Sequence, residues 1–320
     1  MSLSVRQKLE TIQSLLGLTQ TKMAERLGVS FVAYNNWWTQ KAAPRAKKAE
    51  AINQLYLEVT GQTVIPDSQL RAKKNIIKAK SQKLKNIVSK IIHSPDIHDE
   101  FILSLTYNSN SIEGNTLTEP ETAAILFDNT TVPNKSLIEH LEARNHQAAL
   151  NFLFNHILQK GKLDENFVLR THAILMNGIR PDAGAYRNHA VRIVGANLPT
   201  ANYASIQRLL PPVYDLVANN KKDIVTKCAV VHSKFEQIHP FSDGNGRVGR
   251  LLMNAMLLKA HVSPAIILQT QKRLYYTYLY NAQTKGDHSS LENFLCDSIL
   301  RGFRILEPPT YSPPLIASGR

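Results

Sequence analysis

The chain lacks any stretch approaching the roughly 20 consecutive apolar residues that a membrane-spanning helix needs. No membrane span is expected, and residues 1–20 mix charged and apolar positions instead of forming the unbroken apolar run of a secretory leader. Cysteine is scarce. Cys228 and Cys296 stand far apart and match no metal spacing, so neither a disulfide framework nor a zinc site follows, and a reduced cytoplasmic protein is expected. Runs of alternating apolar and polar residues are almost absent, which leaves little room for sheet and makes the chain mostly α. Internal repeats and low-complexity tracts are missing too. So is any His/Cys/Asp cluster that would suggest a structural metal. Acidic residues are in deficit, 25 Asp and Glu against 38 Lys and Arg, for a net charge of +13.

At 320 residues the chain exceeds the usual size of one domain, and two modules or more are expected. Residues 1–100 hold 16 Lys or Arg and 8 Asp or Glu, so eight of the thirteen excess positive charges lie in the first third. Arg71, Lys73, Lys74, Lys78, Lys80, Lys83, Lys85 and Lys90 follow one another without an acid between them. Such a stripe suits a polyanion, nucleic acid first; alternatively it is a solvated helix face. Gly61, Pro66 and Asp67 break a helical pattern and mark a boundary. The expected division is a head over 1–62, a basic helical connector over 63–98, a core over 99–307 and a proline-rich tail over 308–320. The best strand candidate covers 190–194, with β-branched residues in alternation before a glycine turn.

In the head, Thr19 can cap one helix and Ser30 the next. Met23, Ala24 and Leu27 form a buried face, and Gly28 supplies the positive φ of a tight turn. The segment Leu18-Thr-Gln-Thr-Lys-Met-Ala-Glu-Arg-Leu-Gly-Val-Ser30, with Pro44 beyond, resembles the helix-turn-helix of Cro-like repressors. The resemblance implies that the second helix enters the major groove of DNA. Phe31, Val32, Tyr34 and Asn35 would then be the readers, behind the capping Ser30, with Gln20 and Lys22 on phosphate and Trp37 in the core. Phe31-Val-Ala sets apolar residues where such repressors carry polar ones, and these offer base edges few hydrogen bonds. A helical domain for protein contact or dimerisation is the alternative.

The densest chemistry lies in His239-Pro-Phe-Ser-Asp-Gly-Asn-Gly-Arg-Val-Gly-Arg250. Gly244, Asn245 and Gly246 can turn consecutive N–H groups toward an anion, and an apolar helical pattern begins where they end. Arg247 and Arg250 lie one turn apart on that helix. Asp243 offers a hard oxygen for Mg²⁺, and His239, held by Pro240, is a candidate general base. Phe241 reads as a core anchor. Elsewhere, His172 sits at helical spacing between Leu169 and Leu175 and reads as a satisfied core histidine, and Tyr275 reads as core.

This loop resembles the signature of Fic-domain enzymes at every specified position. Ala183-Gly-Ala-Tyr-Arg187 and the segment 273–287 resemble flanking parts of the same family, over roughly 100–306. The resemblance implies a helical Fic core with a short β-hairpin flap, and transfer of AMP from ATP to a hydroxyl of a target protein, itself included. On that reading His239 takes the hydroxyl proton, and Asp243 holds Mg²⁺. Gly244, Asn245, Gly246, Arg247 and Arg250 hold the phosphates, with the Asn245 amide contributing. Tyr276 and Gln283 would contact adenine, and Val191, Arg192, Ile193 and Val194 would dock the target by strand addition. Ser109 and Glu113, one turn apart near the end of a helix over 105–114, resemble the family's inhibitory motif, whose glutamate pairs with the second loop arginine, here Arg250. The same glutamate could align a water that removes AMP. A homodimer is compatible with such a head. The rival from another class is a DNA-binding transcription regulator whose Fic core senses nucleotide without turnover.

Overall fold

A computed structural model describes residues 4–60, 65–84, 86–192, 199–218 and 223–307. The described residues are helical and include no strand, as the scarcity of alternating patterns predicts. In the expected flap, Val191 and Arg192 carry no regular structure, and Ile193 and Val194 lie outside the described residues. The helices in chain order are α1 (Val5–Leu16), α2 (Gln20–Arg26), α3 (Phe31–Trp38), α4 (Ala46–Thr60), α5 (Asp67–Lys83), α6 (Ile87–His93), α7 (Pro95–Glu113) and α8 (Glu119–Phe127). They continue with α9 (Leu137–Leu158), α10 (Glu165–Leu175), α11 (Ile206–Leu209), α12 (Pro211–Ala218), α13 (Ile224–Ile238), α14 (Asn245–Lys259), α15 (Lys272–Lys285) and α16 (Ser289–Leu306). The described residues form two compact units, one drawn from within 1–75 and 273–294, the other from within 76–272 and 295–307. The first unit thus runs past the expected boundary at 61–67 and ends inside α5.

In the first unit, Thr19 and Ser30 accept from Lys22 N and Ala33 N and cap α2 and α3 as the sequence suggests. Gly28 takes φ 61°, and Lys48 Nζ donates to the carbonyls of Leu27 and Gly28, pinning the turn. Leu9, Ile12, Met23, Leu27, Tyr34, Trp37, Ile52 and Tyr56 share the core. That overturns one expected DNA reader. Tyr34 is fully buried, and its hydroxyl faces Gln13 Oε1 at 3.5 Å, so it cannot reach a base edge. It lies one turn before Trp37 on the inward face of α3, stacked on Trp38. Phe31 and Val32 are 46% and 68% exposed, Ser30 and Lys22 are exposed, and Gln20 and Asn35 are half-buried. The basic stripe is also partly spent internally: Lys74 pairs with Glu292 in this unit, and in the second unit Lys80 pairs with Glu307.

In the second unit, α14 is the central element. Nearly every residue from Asn245 to Leu258 is buried. Val248, Leu251, Leu252, Met253, Ala255, Met256, Leu257 and Leu258 cover all faces of the helix, and a helix apolar all round is enclosed. Enclosure fixes its N-terminus, and with it the loop 239–244 that joins it to α13. The last turn of α7 packs beside this N-terminus.

Candidate active site

The loop opens where α13 ends. His239 caps that helix in the left-handed region, φ 53°, which a non-glycine residue adopts only when its surroundings enforce it. Enforcement comes largely from Arg187, a buried guanidinium that spends its donors on carbonyls. Arg187 Nε donates to His239 O at 2.7 Å, and Nη2 donates to Ile238 O at 3.3 Å and Ala201 O at 2.6 Å. Its backbone N–H adds a bond to Pro240 O. The His239 ring is mostly buried, and that burial lowers its pKa below the ordinary histidine value.

Phe241 anchors the middle of the loop, fully buried as expected. His172 stacks on it with centroids 3.7 Å apart. His172 was read as ordinary core, but its two nitrogens hold the loop. Nδ1 accepts from Gly184 N at 2.9 Å, so the proton sits on Nε2, which donates to Asp243 O at 3.1 Å. Burial pushes its pKa down to about 4, so this tautomer persists at neutral pH.

Asn245 corrects an expectation. Its side chain does not face an anion: Oδ1 accepts from Phe241 N and Nδ2 donates to Phe241 O, both at 2.8 Å. The amide brackets the loop from inside, leaving only the Asn245 backbone N–H for a ligand. Gly244 caps α14 at φ 77°, and the first N–H groups of a helix have no partner within it. Asp243 is half-exposed, and its Oδ1 accepts from Gly244 N at 2.6 Å.

The arginines are fixed from outside the loop. Arg247 is buried and its Nη1 donates to Glu142 Oε1 at 2.6 Å, while Nη2 stands 3.5 Å from Asp243 Oδ1. Glu142 in turn accepts from Asn115 Nδ2 at 2.8 Å. Arg250, also buried, donates from Nε to Ser109 Oγ at 3.0 Å, and from Nη2 to Ser109 O at 2.9 Å and Glu113 Oε1 at 2.7 Å. A Cβ placed on Gly246 would collide with Glu113 Oε1. The carboxylate therefore sits over the bare backbone at the start of α14, with a guanidinium beside it: an anion in an anion's place.

Sequence reasoning missed Glu142, Arg187 as a clamp, His172 as a brace, and Glu236. Glu236 is buried behind His239 with its Oε2 4.0 Å from the ring Nδ1. A glycine inside a helix, Gly249, was the available signal: a Cβ there would come within 2.6 Å of Glu236 Oε1. Tyr276 and Gln283 lie on α15 in the first unit, Tyr276 exposed and Gln283 half-buried, with Tyr275 in the core as expected.

Residues 162–257 match a family model described as the Fic/DOC family. A protein of Nematostella vectensis named "Protein adenylyltransferase Fic" is 35% identical over 186 residues, covering 57% of this chain and 43% of that protein. A protein of the same name from Drosophila mojavensis is 32% identical over 194 residues, 60% of this chain and 38% of that one. The chain thus spans about two-fifths of the length of these relatives. Among solved structures, C. elegans Fic-1 superposes with a TM-score of 0.66 at 22% identity, over 96% of this chain and 88% of that one. A Fic-domain signaling protein from Bacteroides thetaiotaomicron gives 0.65 at 23%, over 72% and 95%. The fold is the helical Fic fold.

Proposed function

We propose that the chain is a protein adenylyltransferase held in check by Glu113. The observation that carries this reading is the Glu113 carboxylate on Arg250 over Gly246, at a helix start that also presents His239 and Arg247. In the reaction the target's hydroxyl oxygen bonds to the α-phosphorus of ATP. The bond from that phosphorus to the bridging oxygen of the β-phosphate breaks, pyrophosphate leaves, and His239 takes the hydroxyl proton. The backbone N–H groups of Asn245 and Gly246 face the α- and β-phosphates, with Gly244 providing the turn. Arg247 and Arg250 neutralise the phosphate chain, Arg250 at the γ-phosphate. Arg247 Nε is buried without a hydrogen-bond partner among the described residues, a donor in reserve. Nucleotidyl transfer depends mainly on such positioning and charge stabilisation.

Mg²⁺ fits the residues present. It binds through one or two carboxylates plus phosphates and water, not an all-protein cage. The half-exposed Asp243 carboxylate supplies the one such ligand, and no cluster of three or more His, Cys, Asp or Glu stands among the described residues. Bound there, the ion would neutralise phosphate charge. Tyr276 and Gln283 remain the proposed adenine contacts, and residues 191–194 the target-docking segment. A water held by Glu113 would give a separate reaction, hydrolysis of the bond between the target's oxygen and the α-phosphorus, which frees the hydroxyl and releases AMP.

The transferred group tests the reading. Glu113→Gly protein incubated with Mg²⁺ and ATP should label itself or a target from ATP radiolabelled at the α-phosphate and not from the γ-phosphate. Label from γ instead would mean phosphotransfer and would remove Arg250 from its assigned place. ATP bound without label would favour the nucleotide-sensing regulator.

DNA binding by the head is a second part of the proposal, supported by the capped α2-turn-α3 unit and by Lys22, Phe31 and Val32 on its surface. Because α3 exposes apolar side chains, sequence discrimination should be small and affinity should fall steeply with salt. Duplex titrations at two salt concentrations check this. No binding at low salt would assign the exposed face of α3 to a protein partner, a second copy of this chain among the candidates.

A further inference from the structure

Behind the loop lies a carboxyl that the proposed chemistry has not used. His232 and Glu236 fall one turn apart on the face of α13 that meets Gly249 of α14, and His239 caps the end of α13. Glu236 is buried, with Oε2 4.0 Å from His239 Nδ1, and its own backbone carbonyl accepts from that Nδ1 at 3.3 Å. Oε1 is buried with no hydrogen-bond partner among the described residues. The site is shaped for it: Gly249 has no Cβ, and one would press on Oε1 at 2.6 Å and on His232 at 3.1 Å. A buried, unsatisfied carboxyl costs stability, so its presence calls for a charge that it meets during turnover.

We propose that Glu236 is the positioning residue for His239: its backbone carbonyl holds Nδ1–H so that Nε2 faces the hydroxyl, and its side-chain carboxylate pairs with the imidazolium once His239 takes the proton. This rests on the adenylyltransferase reading. The logic is that of any base oriented by a third group. The partner must be anionic when the cation forms, and at rest it is mostly not. Burial, and after it the charge of Glu113 on α7, raise the Glu236 pKa to about 8 against the opposing charge of Arg250 on α14. His232 on α13 is itself neutral, its pKa pushed down to about 3 by burial. Arg187 faces His239 from the segment after α10 and lowers that ring's pKa, as burial does.

The experiment compares Glu113→Gly with Glu113→Gly/Glu236→Gln, reading α-phosphate label transfer across pH 5–9 and thermal unfolding of both. The single variant should show a limb that rises as His239 loses its proton and a second, more alkaline limb as Glu236 ionises. In the double variant the second limb disappears and kcat falls at least about tenfold, with KM for ATP little changed. Unfolding should move the other way. From pH 4.5 up to the Glu236 pKa, which burial keeps raised after the Glu113 charge is removed, the folded state holds a proton on Glu236 that the unfolded chain has released, so this carboxyl subtracts stability as pH rises through that window. Gln removes the loss, and the unfolding midpoint of the double variant should exceed that of the single variant, by more at pH 8 than at pH 5. If Glu236→Gln lowers the midpoint instead, Glu236→Asp decides: loss of kcat with the alkaline limb retained supports the role, and unchanged kcat ends it. Unchanged kcat and pH profile in a well-folded Gln variant overturn the proposal while leaving AMP transfer intact. No label from Glu113→Gly overturns both.

Discussion

Glu113→Gly should raise AMP transfer by about 10- to 100-fold over the native chain, a coupling of roughly 1–3 kcal/mol between the α7 turn and the loop. The native carboxylate lies 2.7 Å from Arg250 and over the backbone of Gly246. A γ-phosphate approaching Arg250 must displace it or share the guanidinium with it, and either is costly where solvent screens little. Arg250 would not collapse on release, because Ser109 Oγ and O still hold its Nε and Nη2. The variant should therefore fold, with a stability loss of about 1–2 kcal/mol from the lost ion pair and the added glycine at a helix end. Glu113→Gln separates charge from bulk: it keeps the shape and one acceptor, so its rate should fall between native and Gly. Rates measured with α-labelled ATP at fixed Mg²⁺ give the comparison. Equal rates in the native and Gly proteins would show that the contact is structural and not a brake.

The parts of the site legible in the sequence are those whose chemistry is local. His239, Gly244, Gly246, Arg247 and Arg250 lie within twelve residues, and the folded loop keeps that order. Caps were legible for the same reason: Thr19 and Ser30 bond to N–H groups three residues on. What the sequence hid is what the fold brings from far away. Glu142 meets Arg247 across 105 positions, and Arg187 meets His239 across 52. In the basic stripe the pairings of Lys74 and Lys80 were hidden in the same way, because Glu292 and Glu307 stand more than 200 residues away.

Two misreadings were avoidable in principle. Tyr34 and Trp37 are one turn apart, and the same pairing that placed Trp37 in the core should have carried Tyr34 with it. For Asn245, position in a glycine-rich stretch suggested an amide aimed at phosphate, whereas a loop this tight needs an internal brace and the amide supplies it. His172 shows the opposite case. Its periodicity correctly placed it inside, but periodicity says nothing of what a buried imidazole does with two nitrogens, and here both are spent on loop backbone. Val191 and Arg192 show no strand, since strand order in such a segment depends on a pairing partner and not on its β-branched residues alone.

His239→Ala in the Glu113→Gly background should cut transfer by about 10²- to 10⁴-fold, the usual contribution of a positioned general base. Binding of ATP should survive, because the N–H groups at the start of α14 and both arginines are held by Phe241, Asn245, Glu142 and Ser109 and not by the His239 ring. One complication is conformational. Position 239 takes φ 53°, where alanine is strained by about 1–2 kcal/mol, so a fallen rate could reflect a displaced loop. His239→Asn answers this, since asparagine visits the left-handed region readily but cannot take a proton at neutral pH. If both variants bind ATP as the parent does and both lose transfer, the imidazole is the base. If Asn restores a rate near the parent's, the loop geometry carried the effect and the proton leaves by another route. The parent's own rate should fall in acid as His239 protonates, with its midpoint below the ordinary histidine value, because burial, with the positive charge of Arg187 adding to it, disfavours the charged ring. The two substitutions and the acid limb approach the same proton from different sides, and agreement among them cannot come from a loop that has merely moved.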